Sequence, residues 1–130
     1  MDSQVINVAM EIILHAGEAR NLATKAMSAE LKGEKEESNK LLSSAKESVK
    51  KAHLCQTKVI QEEARGHKIE IGLLFIHAQD TLMTIATEVN VMEQMINMNR
   101  HLEDKINKLI CNLTIYNRVV DRHLLISFEI

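Results

Sequence analysis

The sequence predicts an all-α protein, an antiparallel up-down three-helix bundle. The chain has 130 residues with no proline and four glycines. Aromatic residues make up 2% of it and the hydrophobic set 45%, so a core must be built from Leu, Ile, Val, Met and Ala, which suit helices better than sheets. Long stretches also repeat apolar residues at alternating spacings of four and three, which places them on one helical face. A chain of this length suits one domain with one modest core.

The first helix is expected from about Gln4 to Leu31, with Ser3 as the capping residue that accepts from a free backbone N–H. Val5, Ala9, Ile12, Ala16, Ala19, Ala23 and Ala26 form its stripe, mostly alanine, so a neighbouring helix can approach closely. Gly33 reads as its stop, because glycine reaches the left-handed conformation cheaply. The second helix is expected from about Glu34 to Ala64, ended by Gly66. Its stripe reads Leu42, Ala45, Val49, Ala52, Val59 and Glu63, with Gln56 set into it, and its lysine- and glutamate-bearing face reads as solvated. The third helix is expected to begin near Lys68 and to reach at least residue 100, with Ile69, Leu73, Ile76, Asp80 and Met83 as its stripe. Helices of about 30 residues span ~45 Å, and short glycine-containing turns make them antiparallel neighbours. From Ile106 on, a helical pattern is mixed with β-branched residues; beyond Thr114 helix, strand and disorder are all open.

Composition also bounds the function. The net charge is -2 with no basic stripe, which weighs against nucleic-acid binding. Apolar runs fall far short of the ~20 residues of a membrane span. The start MDSQVINVAM lacks the features of a signal peptide, and Cys55 and Cys111 match no metal or redox spacing, so a reducing, cytoplasmic setting is the simplest expectation.

The polar residues on the apolar stripes are the candidates for chemistry. An aspartate in an apolar seam is costly unless paired, protonated or metal-bound, and Asp80 lies on the expected stripe of the third helix. His77 precedes it by three residues, on the same side of the helix. Gln56, with His53 one turn before it, is a milder version on the second helix. The bland reading is a satisfied structural histidine and a hydrogen-bonded core aspartate; Met92, Met95 and Met98 are read as packing. The sharper reading uses imidazole, a competent nucleophile near neutral pH, which can attack phosphorus and later surrender the phosphoryl group. Amides such as Gln79 or Gln56 could donate to phosphoryl oxygens. No glycine-rich phosphate loop is present.

Three blocks then carry a resemblance. AGEAR (Ala16 to Arg20), AHLCQTKVI (Ala52 to Ile60) and HAQDTLM (His77 to Met83) fall in that order on the three helices. Over about residues 5 to 105 the chain resembles the lactose/cellobiose-specific IIA component of the bacterial phosphoenolpyruvate-dependent sugar phosphotransferase system. The resemblance implies a domain over residues 1–105 followed by a C-terminal extension, 106–130. It implies that His77 is a phosphocarrier that takes a phosphoryl group from HPr and passes it to a cysteine of the IIB component, which acts with the membrane component IIC on a β-linked disaccharide. Gln79, Gln56 and His53 are the expected supports of the phosphoryl site. The resemblance further implies a homotrimeric nine-helix bundle, with Asp80 meeting its symmetry mates around a structural Mg2+. Thr81 stands where many members have a second histidine. The competing reading, from another class, is a helical-bundle adaptor without chemistry.

Overall fold

A computed structural model of the chain describes residues 3–129. It contains three helices, α1 (Ser3–Leu31), α2 (Lys35–Ala64) and α3 (Leu73–Phe128), with no strand among the described residues. Two compact units divide the chain between Gln94 and Met95. The first holds α1, α2 and the start of α3; the second consists of the rest of α3.

The core of the first unit fixes the direction of its helices. One cluster joins Val5, Ala9 and Ile12 of α1 to Ala52, Cys55 and Val59 of α2 and to Phe75, Ala78 and Leu82 of α3. The next joins Ala16, Ala19 and Ala23 to Ala45, Ile85 and Val89. Residue numbers rise together along α1 and α3 and fall along α2, so α2 runs against both, as an up-down bundle requires.

All seven residues of the expected α1 stripe are buried. Ser3, the expected cap, is the first of the described residues and is helical. Gly33 has φ 81° and Gly66 φ 89°, the left-handed conformation expected of both stops. At each, two backbone bonds close the helix end. Gly33 N–H donates to Glu30 and Glu34 N–H to Ala29; Gly66 N–H donates to Glu63 and His67 N–H to Glu62.

Two stripes and one boundary differ from the sequence reading. In α2 the buried residues include Ser38, Ser48 and Cys55 beside Ala45, Ala52 and Val59, while Glu63 is exposed and Gln56 half-buried. Small side chains let α2 approach the alanine face of α1, and a count of apolar residues passes over serine. In α3 the buried stripe is Phe75, Ala78, Leu82, Ile85 and Val89. The expected stripe lies outside it: Leu73 is 81%, Ile76 47% and Met83 55% exposed, and Asp80 is exposed. Both stripes obey the same four-three spacing, and only one can face α1 and α2. The start of α3 also shifts from Lys68 to Leu73. Gly72, a poor helix former, supplies the carbonyl that accepts from Phe75 and Ile76 at 3.0 and 3.3 Å, while Ile69 packs against the core from outside any helix. At the other end α3 continues through the uncertain tail to Phe128.

Candidate functional site on the third helix

His77 lies in the second turn of α3 and is exposed. Two ion pairs define the edges of the helix around it. Arg20 of α1 clamps Glu88, Nε and Nη2 donating to its two carboxylate oxygens at 2.7 and 2.8 Å. Lys46 of α2 donates to Glu93 at 2.7 Å. At about 100° per residue, His77 and Thr81 share the α1-facing edge with Glu88, and His77 lies three turns before it. Gln79 and Ala86 share the α2-facing edge with Glu93.

His77 and Gln79 therefore point about 200° apart around α3, because residues two apart on a helix do not face each other. On α2, Lys46, Val49, His53 and Gln56 recur at three-four-three spacing on the face turned toward α3. His53 lines a groove of about 330 Å³ there, with Lys46, Val49, Lys50, Ala86, Val89 and Asn90; His77 does not line it. Within one copy, then, His53 and Gln79 lie on the α2 side of α3, Gln56 lies one turn along α2 from His53, and His77 stands on the α1 side. The sequence reading brought His53 and Gln56 toward His77 through antiparallel packing of the second and third helices, which sets their level along the bundle and not the edge of α3 that they meet.

Asp80 is on the outward face with Ile76 and Met83, one turn beyond His77. Among the described residues no group of three His, Cys, Asp or Glu side chains converges to hold a metal ion. One copy offers a cation a single carboxylate at this face.

The electrostatic feature that sequence reasoning missed is the clamp on the edge shared with His77. The hydrogen bond from Arg20 holds the Glu88 carboxyl below the usual carboxylate value, and the same bond raises Arg20 in return. The partners are 68 residues apart, so no local pattern announces them. Cys55 is buried and its thiol faces Glu11 at 3.4 Å; burial first, then the bond to Glu11, push its pKa up, which keeps it a thiol. Met92 packs against the core, whereas Met95 and Met98 are exposed. Among the described residues no helix is long and apolar enough to cross a membrane.

Comparison with known proteins gives a consistent picture. A family model described as the PTS system lactose/cellobiose-specific IIA subunit matches residues 7–100. The lichenan-specific phosphotransferase enzyme IIA component of Bacillus subtilis is 37% identical over 105 residues, which cover 81% of this chain and 96% of that protein. The N,N'-diacetylchitobiose-specific EIIA component of Escherichia coli is 30% identical over 96 residues, covering 74% and 83%. Among solved structures, the cellobiose-specific enzyme IIA of Bacillus anthracis superimposes with a TM-score of 0.75 at 37% identity, covering 81% of this chain and 96% of that one. The IIA(chitobiose) chain solved in complex with HPr from Escherichia coli gives 0.68 at 27% identity, covering 79% and 99%.

Proposed function

The chain belongs to the lactose/cellobiose-specific IIA family of the sugar phosphotransferase system, and on that premise we propose that it is a cytoplasmic phosphocarrier whose transient acceptor is His77. The observation that carries this reading is the exposure of His77 within the HAQD block, on a helix that otherwise buries Phe75, Ala78 and Leu82 on its far side. A nucleophile that must meet two protein partners in turn has to be reachable, and this one is.

In the proposed reaction a ring nitrogen of His77 attacks the phosphorus carried on the phosphohistidine of HPr. A P–N bond forms to His77 as the P–N bond to HPr breaks. The HPr imidazole leaves with the bonding pair, and the N–H proton lost by the His77 ring balances the one that HPr regains. A cysteine thiol of IIB then gives up its proton and attacks the same phosphorus through sulfur; an S–P bond forms as the P–N bond to His77 breaks, and the ring takes up one proton in return and leaves as neutral imidazole. IIB and the membrane component IIC use the group for uptake and phosphorylation of a β-linked disaccharide of the lactose, cellobiose or chitobiose class.

The outward face of α3 supports a homotrimer of three-helix protomers. Leu73, Ile76 and Met83 leave a stripe of apolar surface uncovered in one copy, with Asp80 inside it. Burying that stripe between copies would strand the carboxylate unless something neutralised it. Three Asp80 carboxylates brought together form an all-oxygen donor set suited to a hard divalent cation such as Mg2+. When bound, the cation supplies charge neutralisation at the interface. Assembly also gives Gln79, Gln56 and His53 a route to the site, from a neighbouring protomer.

A relay experiment tests the reading. Phospho-HPr, this chain and IIB are mixed, and label is followed onto the IIB cysteine. Transfer should occur with the native chain and stop at HPr with His77→Ala. Transfer through the variant would move the site, first to His53.

A further inference from the structure

A cavity of about 250 Å³ opens at the end of the bundle where α1 begins, α2 finishes and the connection to α3 crosses between them; His77 does not line it. Its floor is apolar. Val5 and Val59 belong to the buried core cluster, and Val8 and Ile69 pack against that cluster. Ile69 stands in the connection, outside any helix, so one wall is a segment held by packing and not by a helical ladder.

The rim is charged and unbalanced. Among the described lining residues Glu62 is the one acid, and its two carboxylate oxygens are already taken, one by Arg65 Nη1 and the other by His67 Nδ1. Lys58 and Lys68 also line the cavity, and neither has a hydrogen-bond or ion-pair partner among the described residues. Arg65 offsets the charge of Glu62, which leaves two ammonium groups unmatched above an apolar floor. That combination selects a ligand. Inorganic phosphate would match the ammonium groups and leave the floor wet, and a neutral hydrocarbon would match the floor alone. An organic anion with a branched aliphatic body matches both. A cavity of about 150 Å³ holds benzene, so this one has room for roughly ten non-hydrogen atoms. An α-ammonium beside the acid group, as in an amino acid, would meet Lys58 and Lys68 with like charge, whereas a carbonyl oxygen there would accept from them.

We infer that this cavity binds a small branched aliphatic carboxylate of the 2-oxo acid class, its acid group between Lys58 and Lys68 and its alkyl group on Val5, Val8, Val59 and Ile69. The site stands apart from the phosphocarrier reading and does not depend on it.

Titration of the full-length chain with 4-methyl-2-oxopentanoate, which is of that size, tests this by calorimetry and by the methyl NMR resonances of Val8 and Ile69. The expected result is one site per chain with a Kd of roughly 1 mM or tighter, with shifts at Val8 and Ile69 and none at His77. Lys58→Gln and Lys68→Gln should each weaken binding about tenfold. Both lysines are exposed, so thermal melts of these variants should match that of the native chain. Lys25→Gln, an exposed position on α1 away from the cavity, should bind as the native chain does. Leucine, the amino acid with the same alkyl group, should bind about tenfold more weakly or worse. No binding up to about ten times the expected Kd overturns the site. So does equal binding of leucine, unchanged binding by both lysine variants, or an equal loss with Lys25→Gln. Displacement of the probe by inorganic phosphate at equal concentration would reduce the site to a general attraction for anions and overturn it as well.

Discussion

Leu82 and Met83 are neighbours in sequence on opposite faces of α3, and truncating each tests which face is the core. Leu82 is fully buried. Leu82→Ala removes three carbons, a transfer loss of about 2.4 kcal/mol at ~0.8 per buried methylene. The cavity left behind brings the expected cost to roughly 3–5 kcal/mol. Met83 is 55% exposed, so less than half of its side chain is covered in one copy. Met83→Ala then costs at most about 1 kcal/mol if the copy stands alone. If copies cover this face, the cost rises toward that of Leu82, and the urea midpoint rises with protein concentration. Urea unfolding followed by circular dichroism, at two concentrations at least tenfold apart, reads both effects. A cost for Leu82→Ala below about 1 kcal/mol would refute the assignment of the buried stripe. A Met83→Ala cost that is small, with no concentration dependence of the native chain, would refute burial of the outward face.

Gly33→Ala should lower stability by about 1–2 kcal/mol because φ is 81° there, whereas Gly17→Ala, inside α1 with nothing within 4 Å of the added carbon, should raise it by about 0.5–1 kcal/mol; thermal melts of equal sign would contradict this. Because Arg20 depresses the Glu88 carboxyl below its ordinary value of 4.5, the stabilisation from that pair is present above that pH and is lost as pH falls through and below it. Glu88→Gln should therefore flatten the acid side of a plot of melting temperature against pH, slightly and less in high salt, since both side chains are exposed; a change confined to neutral pH would count against the pair. Asp80→Asn, or chelation of divalent metal from the native chain, should lower the melting temperature and shift the mass of the assembly. Mass and melting temperature unchanged by either would rule out a cation shared by Asp80 carboxylates.

The sequence was most legible where one local rule decided the outcome. All seven positions read for the alanine stripe of α1 are buried, because one spacing runs through them, and the structure adds Ala29 and Glu30 beyond them. Gly33 and Gly66 announced their turns because few other residues adopt the backbone needed there. Legibility failed where two patterns competed. On α3 the Phe75 stripe and the Ile76 stripe are both apolar at the same spacing, and only the positions of α1 and α2 decide which is inside. On α2, Ser38 and Ser48 are core residues through their size and not their hydropathy. At the candidate site, His77 and Asp80 were found as a pair because three residues separate them on a helix. That His53 of α2 lines the groove against α3 and His77 does not depends on how the helices pack, and so does the Arg20–Glu88 clamp.

The measurement that bears most directly on the central claim is phosphoryl acceptance by the chain itself. The protein is incubated with phosphoenolpyruvate, enzyme I and HPr, and its intact mass is read before and after brief acid treatment, beside His77→Ala. The native protein should carry one acid-labile phosphoryl group per chain and the variant none, with equal helical content in both and stabilities within about 0.5 kcal/mol because His77 is exposed. Retention of the label by the variant, or no gain by the native chain while the same partners charge another IIA protein, would contradict it.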